Sequence, residues 1–136
     1  MEISDALAFV RQHHHAVLAT LKADGTPQLT PVTASVDADG HVVVSSRETA
    51  YKTKNLRRDP RAWLTVFTDG FYGEWVQLAG TVEVVSLPEA MEGLVDYYRS
   101  VSGEHPDWDE YREVMVSDQR CLLTINLEKA GPTRHG

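Results

Sequence analysis

Apolar positions along this chain follow two rhythms. Near the amino end Ile3, Leu7 and Val10 fall on one side of a helical wheel, so the spacing predicts a short helix over 4–12 with Ser4 as its N-cap. From Ala16 the rhythm shortens to strand-like runs over 16–21, 28–36, 41–46 and 62–68. Asp24-Gly25 and Asp39-Gly40 supply hairpin turns between the first three. A longer strand follows at 74–85, and a last one at 120–128. Helical spacing returns over 87–99, with Pro88 expected in the first turn, and over 106–115, where Asp107 and Glu110 have the spacing of a capping box. Trp108, Tyr111 and Met115 recur on that helix as core positions. The tail 131–136 reads as irregular.

Six strands joined mainly by hairpins, without regular strand–helix alternation, argue against a doubly wound sheet. They fit a small antiparallel β-barrel with peripheral helices, in one domain over 1–136. Gly80 in the long strand predicts the bulge or bend that a barrel needs. Pro31 has no N–H to give a ladder, so its strand is expected to lie open on one side there.

Between Ser45 and Pro60 the pattern changes character. Six of the 13 basic residues (Arg47, Lys52, Lys54, Arg57, Arg58 and Arg61) fall within 15 positions, in a chain whose net charge is −7. The overall charge speaks against nucleic acid and anionic membranes as partners. A short helix is expected here, capped by Thr49 and stopped by Pro60. Acidic residues usually occupy a first helical turn, yet Lys52 stands there, beside Ser45, Ser46 and Arg47. Hydroxyls, free amides and cations converging on one helix start suit an anion, most simply a phosphate. The plainer alternative is a solvated basic face.

Other chemistry is sparse. The chain has no phosphate-binding glycine loop, no nucleophile elbow and no recognisable catalytic dyad. Adjacent histidines 13–15 point in different directions on any regular element, so no metal site is expected from them. Cys121, the single cysteine, lies in an apolar run and reads as a packed thiol. No run is long enough to span a membrane and no signal-peptide core is visible, so a cytoplasmic protein is expected. One anion site without acid–base machinery suits a protein whose cofactor carries the chemistry.

Three segments then carry a resemblance. The stretch Ala19-Thr-Leu-Lys-Ala-Asp-Gly-Thr-Pro-Gln-Leu-Thr-Pro-Val resembles the first hairpin of the pyridoxamine-phosphate-oxidase-like split β-barrels that bind flavins and deazaflavins. Lys52-Thr-Lys-Asn-Leu-Arg-Arg-Asp-Pro is similar to their phosphate-binding helix, and Leu78-Ala-Gly-Thr-Val-Glu-Val-Val to a later strand. The likeness is nearest to short members that use the deazaflavin F420. It implies a six-stranded split barrel of the FMN-binding type and a homodimer with the cofactor in the intersubunit cleft. It also implies roles for residues. Lys52 would hold the cofactor phosphate, with Asn55 and Tyr51 on the same helix and Ser45, Ser46 and Arg47 beside it. Gln28, Thr30, Pro31 and Val32 would line the ring and ribityl chain, and Trp75 and Gln77 would close the cleft from the other subunit. Many relatives carry arginine where this chain has Ala50, and Arg47 or Lys54 would stand in for it.

The function implied is an F420H2-dependent reductase passing hydride to a conjugated, electron-poor small molecule. A cleft wall of Phe71, Tyr72 and Trp75 would suit a flat apolar substrate. The alternatives are an FMN-dependent oxidase or reductase of the same fold, and a non-catalytic binder of F420, flavin or haem.

Overall fold

A computed structural model describes residues 1–134. Helix α1 (Ile3–Gln12) leads into strands β1 (His15–Leu21), β2 (Pro27–Thr33), β3 (Ser35–Val36) and β4 (Val42–Arg47). Helix α2 (Tyr51–Arg58) separates β4 from β5 (Arg61–Phe67) and the long β6 (Trp75–Ser86). Helices α3 (Met91–Ser102) and α4 (Trp108–Ser117) precede the final strand β7 (Arg120–Thr133).

All pairings are antiparallel, in the order β2-β1-β5-β6-β7-β4-β3. Although four strands separate β2 from β4 in that order, the two approach each other. The sheet therefore curls on itself as a split β-barrel. Seven strands are counted where six are expected, because Ala34 interrupts the return strand and divides it into β2 and β3.

The central strands explain the unbroken apolar runs. Val42 and Val44, with Cys121, Leu123 and Ile125, face the barrel core, which Ala6 and Val10 of α1 close at one end. Val43 and Leu122 face the other way and pack under α3 and α4 against Leu94, Tyr111 and Met115. Strands buried on both faces need no polar alternation. Gly80 behaves as expected: the β6–β7 register shifts between Ala79 and Gly80, and a Cβ there would lie 2.2 Å from the Asn126 carbonyl oxygen. The Trp108–Tyr111–Met115 stripe is buried or half-buried as core.

Several terminal details differ from expectation. Helix α1 begins at Ile3 after Glu2, without a side-chain cap from Ser4. Helix α2 is preceded by Ala50, not capped by Thr49. Pro88 stands in the turn before α3 instead of inside its first turn. Half of the capping box forms: Asp107 accepts the Glu110 amide at 3.1 Å, while the Asp107 amide donates to His105. The tail read as irregular is strand through Thr133, because β6 offers it a partner down to Val76. The last two residues of that tail reading, 135 and 136, lie outside the described residues.

Candidate functional site: a cationic, aromatic-walled cavity

The basic segment sorts itself by where each charge is spent. Arg57 pairs with Glu48 at 2.7 Å and also reaches Ser86. Arg58 donates to the Leu21 carbonyl at 2.6 Å and to Asn55 Oδ1 at 3.1 Å. Arg61 grips Asp59 through two nitrogens, which holds that carboxyl at about 2. Lys54 lies over the exposed Tyr51 ring, 5.9 Å from its centroid. These four cations serve the fold and the surface. Lys52 forms no ion pair among the described residues and instead lines a cavity of about 790 Å³. Its pKa is lowered, first by burial and then by the positive charges of Arg120 and Arg47.

The cavity lies where β2 nears β4. Pro31, Val32 and Thr33 form one wall and Ser45 joins Lys52 at another. Strand β2 is an edge strand, so the opening expected from Pro31 is present, and the cavity begins there. Ala16, Val17 and Phe67 add apolar surface from β1 and β5. Tyr97, Tyr98, Tyr111 and Met115 cover the side made by α3 and α4. Tyr98 and Tyr111 rings stand 5.1 Å apart. Tyr97 donates to the Thr33 carbonyl at 2.7 Å and Tyr111 to the Leu94 carbonyl at 2.8 Å. Burial raises both phenols, Tyr111 to about 12, so neither gives up a proton readily. Arg120 completes the lining, to which no carboxylate among the described residues belongs.

The structure thus brings Pro31, Val32, Ser45 and Lys52 together and leaves other expected residues elsewhere. Ser46 faces the core, where its hydroxyl bonds Thr53 at 2.7 Å. Asn55 is a buried hub: its amide donates to Thr20 at 3.1 Å and to Gln28 at 2.8 Å. It fastens α2 to β1 and β2 and does not line the cavity. Gln28, thereby oriented, approaches Thr30 at 3.4 Å on β2, and neither lines the cavity. Arg47 is turned to Asp118 at 3.6 Å. Tyr51 stands in solvent. Within one chain Trp75 neighbours Met1 and Phe9 at a separate depression, and Gln77 pairs across to Thr65. Phe71 and Tyr72 are exposed and meet edge to face; within one chain neither lines the cavity, whose aromatic lining comes from Phe67 and from the tyrosines of α3 and α4.

The three histidines diverge as expected. His13 packs on Phe9, His14 Nδ1 donates to the Ala34 carbonyl, and His15 meets Asp69 at 3.0 Å on the cavity rim. Cys121 is fully buried and its thiol is pushed up by burial, as suits an inert packing residue. Arg120, the tyrosines and Met115 escaped the sequence reading of the site. The one available signal was a cation heading an otherwise apolar strand at Arg120-Cys-Leu-Leu.

A curled antiparallel sheet with a cationic cavity beside its edge strand defines the split-barrel class of protein. The pyridoxamine 5'-phosphate oxidase family model matches residues 4–133, so the chain belongs to that family. It is 28% identical over 126 residues to an F420H2-dependent biliverdin reductase of Mycobacterium tuberculosis, covering 92% of this chain and 83% of that protein. A solved structure of a conserved hypothetical protein from the same organism superposes with a TM-score of 0.79 at 26% identity, covering 96% of this chain and 82% of the other. An F420 reductase structure shares the fold, with a TM-score of 0.72 at 16% identity over 91% and 94% of the two chains.

Proposed function

We propose that the protein is an F420H2-dependent reductase that acts on a conjugated, electron-poor small molecule. The observation that carries this reading is Lys52: a half-buried cation with no ion-pair partner among the described residues, in a cavity lined mainly by apolar and aromatic groups. A phosphate at Lys52 and a flat ring system between β2 and the tyrosines would satisfy both features. Arg120, in the lining of the same cavity, adds a second cation that suits an anionic cofactor. The similarity to an F420H2-dependent biliverdin reductase favours the deazaflavin over FMN.

When bound, the reduced deazaflavin supplies the hydride. The chain supplies the rest. Lys52 and Ser45 would anchor the phosphate end, and Pro31 and Val32 would support the ring, leaving the tyrosine side for the substrate. Fixing two flat reactants face to face is the main rate contribution expected from such a site. Tyr97 and Tyr111 keep their protons and act as walls. The proton that completes the reduction comes from solvent at the rim, where His15 and Asp69 are both well exposed. A second copy of the chain, presenting Trp75 and Gln77, closes the mouth, and the protein works in the cytoplasm as a homodimer.

Reduced F420 offered with biliverdin and with simple enones tests this. Oxidation of the cofactor coupled to loss of substrate is expected for at least one acceptor. Binding of FMN but not F420 would transfer the reading to a flavin enzyme. F420 binding without turnover of any acceptor would mark a carrier.

A further inference from the structure

Arg120 opens β7 directly after the turn that ends α4. Its cross-strand partner in the ladder is Arg47, an unfavourable pairing of like charges. One carboxylate, Asp118, lies 3.6 Å from each of the two guanidinium groups, too far for a hydrogen bond to either. Arg120 Nε is buried and has no hydrogen-bond partner. That nitrogen faces Asp118 and is closed to the cavity, so any ligand meets Arg120 through the rest of its guanidinium. Arg120 lines the same cavity as Lys52, and no acid among the described residues joins that lining. Two cations share one concave surface: Lys52 has no ion-pair partner among the described residues, and Arg120 has only the loosely placed Asp118, which it shares with Arg47.

We propose that Arg120 is the second cation of the anion subsite and that, with Lys52, it grips the phosphate group of the bound cofactor. The guanidinium fork offers two parallel donors to two phosphate oxygens, while Lys52 adds a point charge. This explains how the chain manages with Ala50: Arg47 is turned to Asp118 and Lys54 lies over Tyr51, so neither reaches the cavity lining. The lowered pKa of Lys52, second cause Arg120, is the electrostatic trace of the same pairing. The inference rests on the reading of the cavity as a site for a phosphate-bearing cofactor.

The test compares F420 with an analogue that keeps the deazaflavin ring and ribityl chain but lacks the phosphate. Both are titrated by fluorescence into wild type, Arg120→Gln and Arg120→Lys, with inorganic phosphate followed separately by thermal shift. Arg120→Gln should weaken F420 at least about tenfold. It should leave the phosphate-free analogue within about twofold, since the neutral parts of the site are untouched. Arg120→Lys, which keeps the charge and the stem, should fall between and serves in its place should the glutamine variant not fold. Equal F420 affinity in wild type and variants would overturn the proposal. So would an equal loss for both ligands, which would make Arg120 a wall residue or a contact for a substrate carboxylate. If wild type binds neither deazaflavin, the cofactor reading fails, and phosphate decides on Arg120. Stabilisation by phosphate that disappears in Arg120→Gln upholds the anion subsite, and no stabilisation in wild type overturns it.

Discussion

Lys52 is held as a cation where its surroundings oppose the charge, and this has two consequences of opposite sign. Burial first, then Arg120 and Arg47, lower its pKa below the ordinary 10.5. Its folded pKa is thus below its unfolded one, so the charged form costs stability at neutral pH. Raising the pH through the window just beneath 10.5 removes that cost. Phosphate binding runs the other way and should fade over the same window, which a series of phosphate titrations against pH would show. Asp59 gives the acid counterpart. Arg61 holds its carboxyl at about 2, so the pair's contribution is complete above the ordinary 3.8 and is lost as pH falls through about 2. Carbon NMR should find the Asp59 midpoint near 2 in wild type and moved back toward 3.8 in Arg61→Ala. At this scale the sequence showed Lys52 and Pro31, because a lysine in a first turn and a proline in a strand break local rules. Arg120 and the tyrosines break none, so only their meeting in space marks them.

Elements were legible where burial decides them and less so at their ends. The runs Val42-Val43-Val44 and Cys121-Leu122-Leu123 are strands because both faces are covered. Caps are weaker signals: Ser4 and Thr49 are good capping types, yet neither caps its helix. Gly131-Pro132 punctuates the tail, but β6 extends far enough to pair beyond it. Two devices hold these elements in place and can be removed. In Gly80→Ala the new Cβ would meet Asn126 backbone atoms at 2.2 and 2.9 Å, which no side-chain movement relieves. A loss of about 3 kcal/mol in chemical unfolding is expected. Asn55→Ala frees Gln28, Thr20 and one donor of Arg58, and should cost about 2 kcal/mol. Because Asn55 lies outside the cavity lining, cofactor affinity should fall far less than in Lys52→Ala. A loss as large as that of Lys52→Ala would show that Asn55 itself touches the ligand.

At the scale of the whole molecule, hairpin chemistry, the missing strand–helix alternation and Gly80 were enough for a small antiparallel barrel. Curling of the sheet so that β2 nears β4 was not visible, since it depends on contacts between strands far apart in the ladder. Exposed apolar side chains remain on the surface, among them Leu29 on the β2 edge, Tyr51 and Tyr72. A homodimer that buries the cavity mouth should give a sedimentation mass of about twice 15.2 kDa. A monomer at micromolar concentration would remove the partner's Trp75 and Gln77 from the proposed site. The central claim, that a phosphate-bearing deazaflavin sits on Lys52, is tested most directly by fluorescence titration of F420 into wild type and Lys52→Ala. Micromolar binding, weakened at least tenfold by the substitution, a loss of about 1.4 kcal/mol, is the expected result. Equal affinity in the two proteins would contradict it.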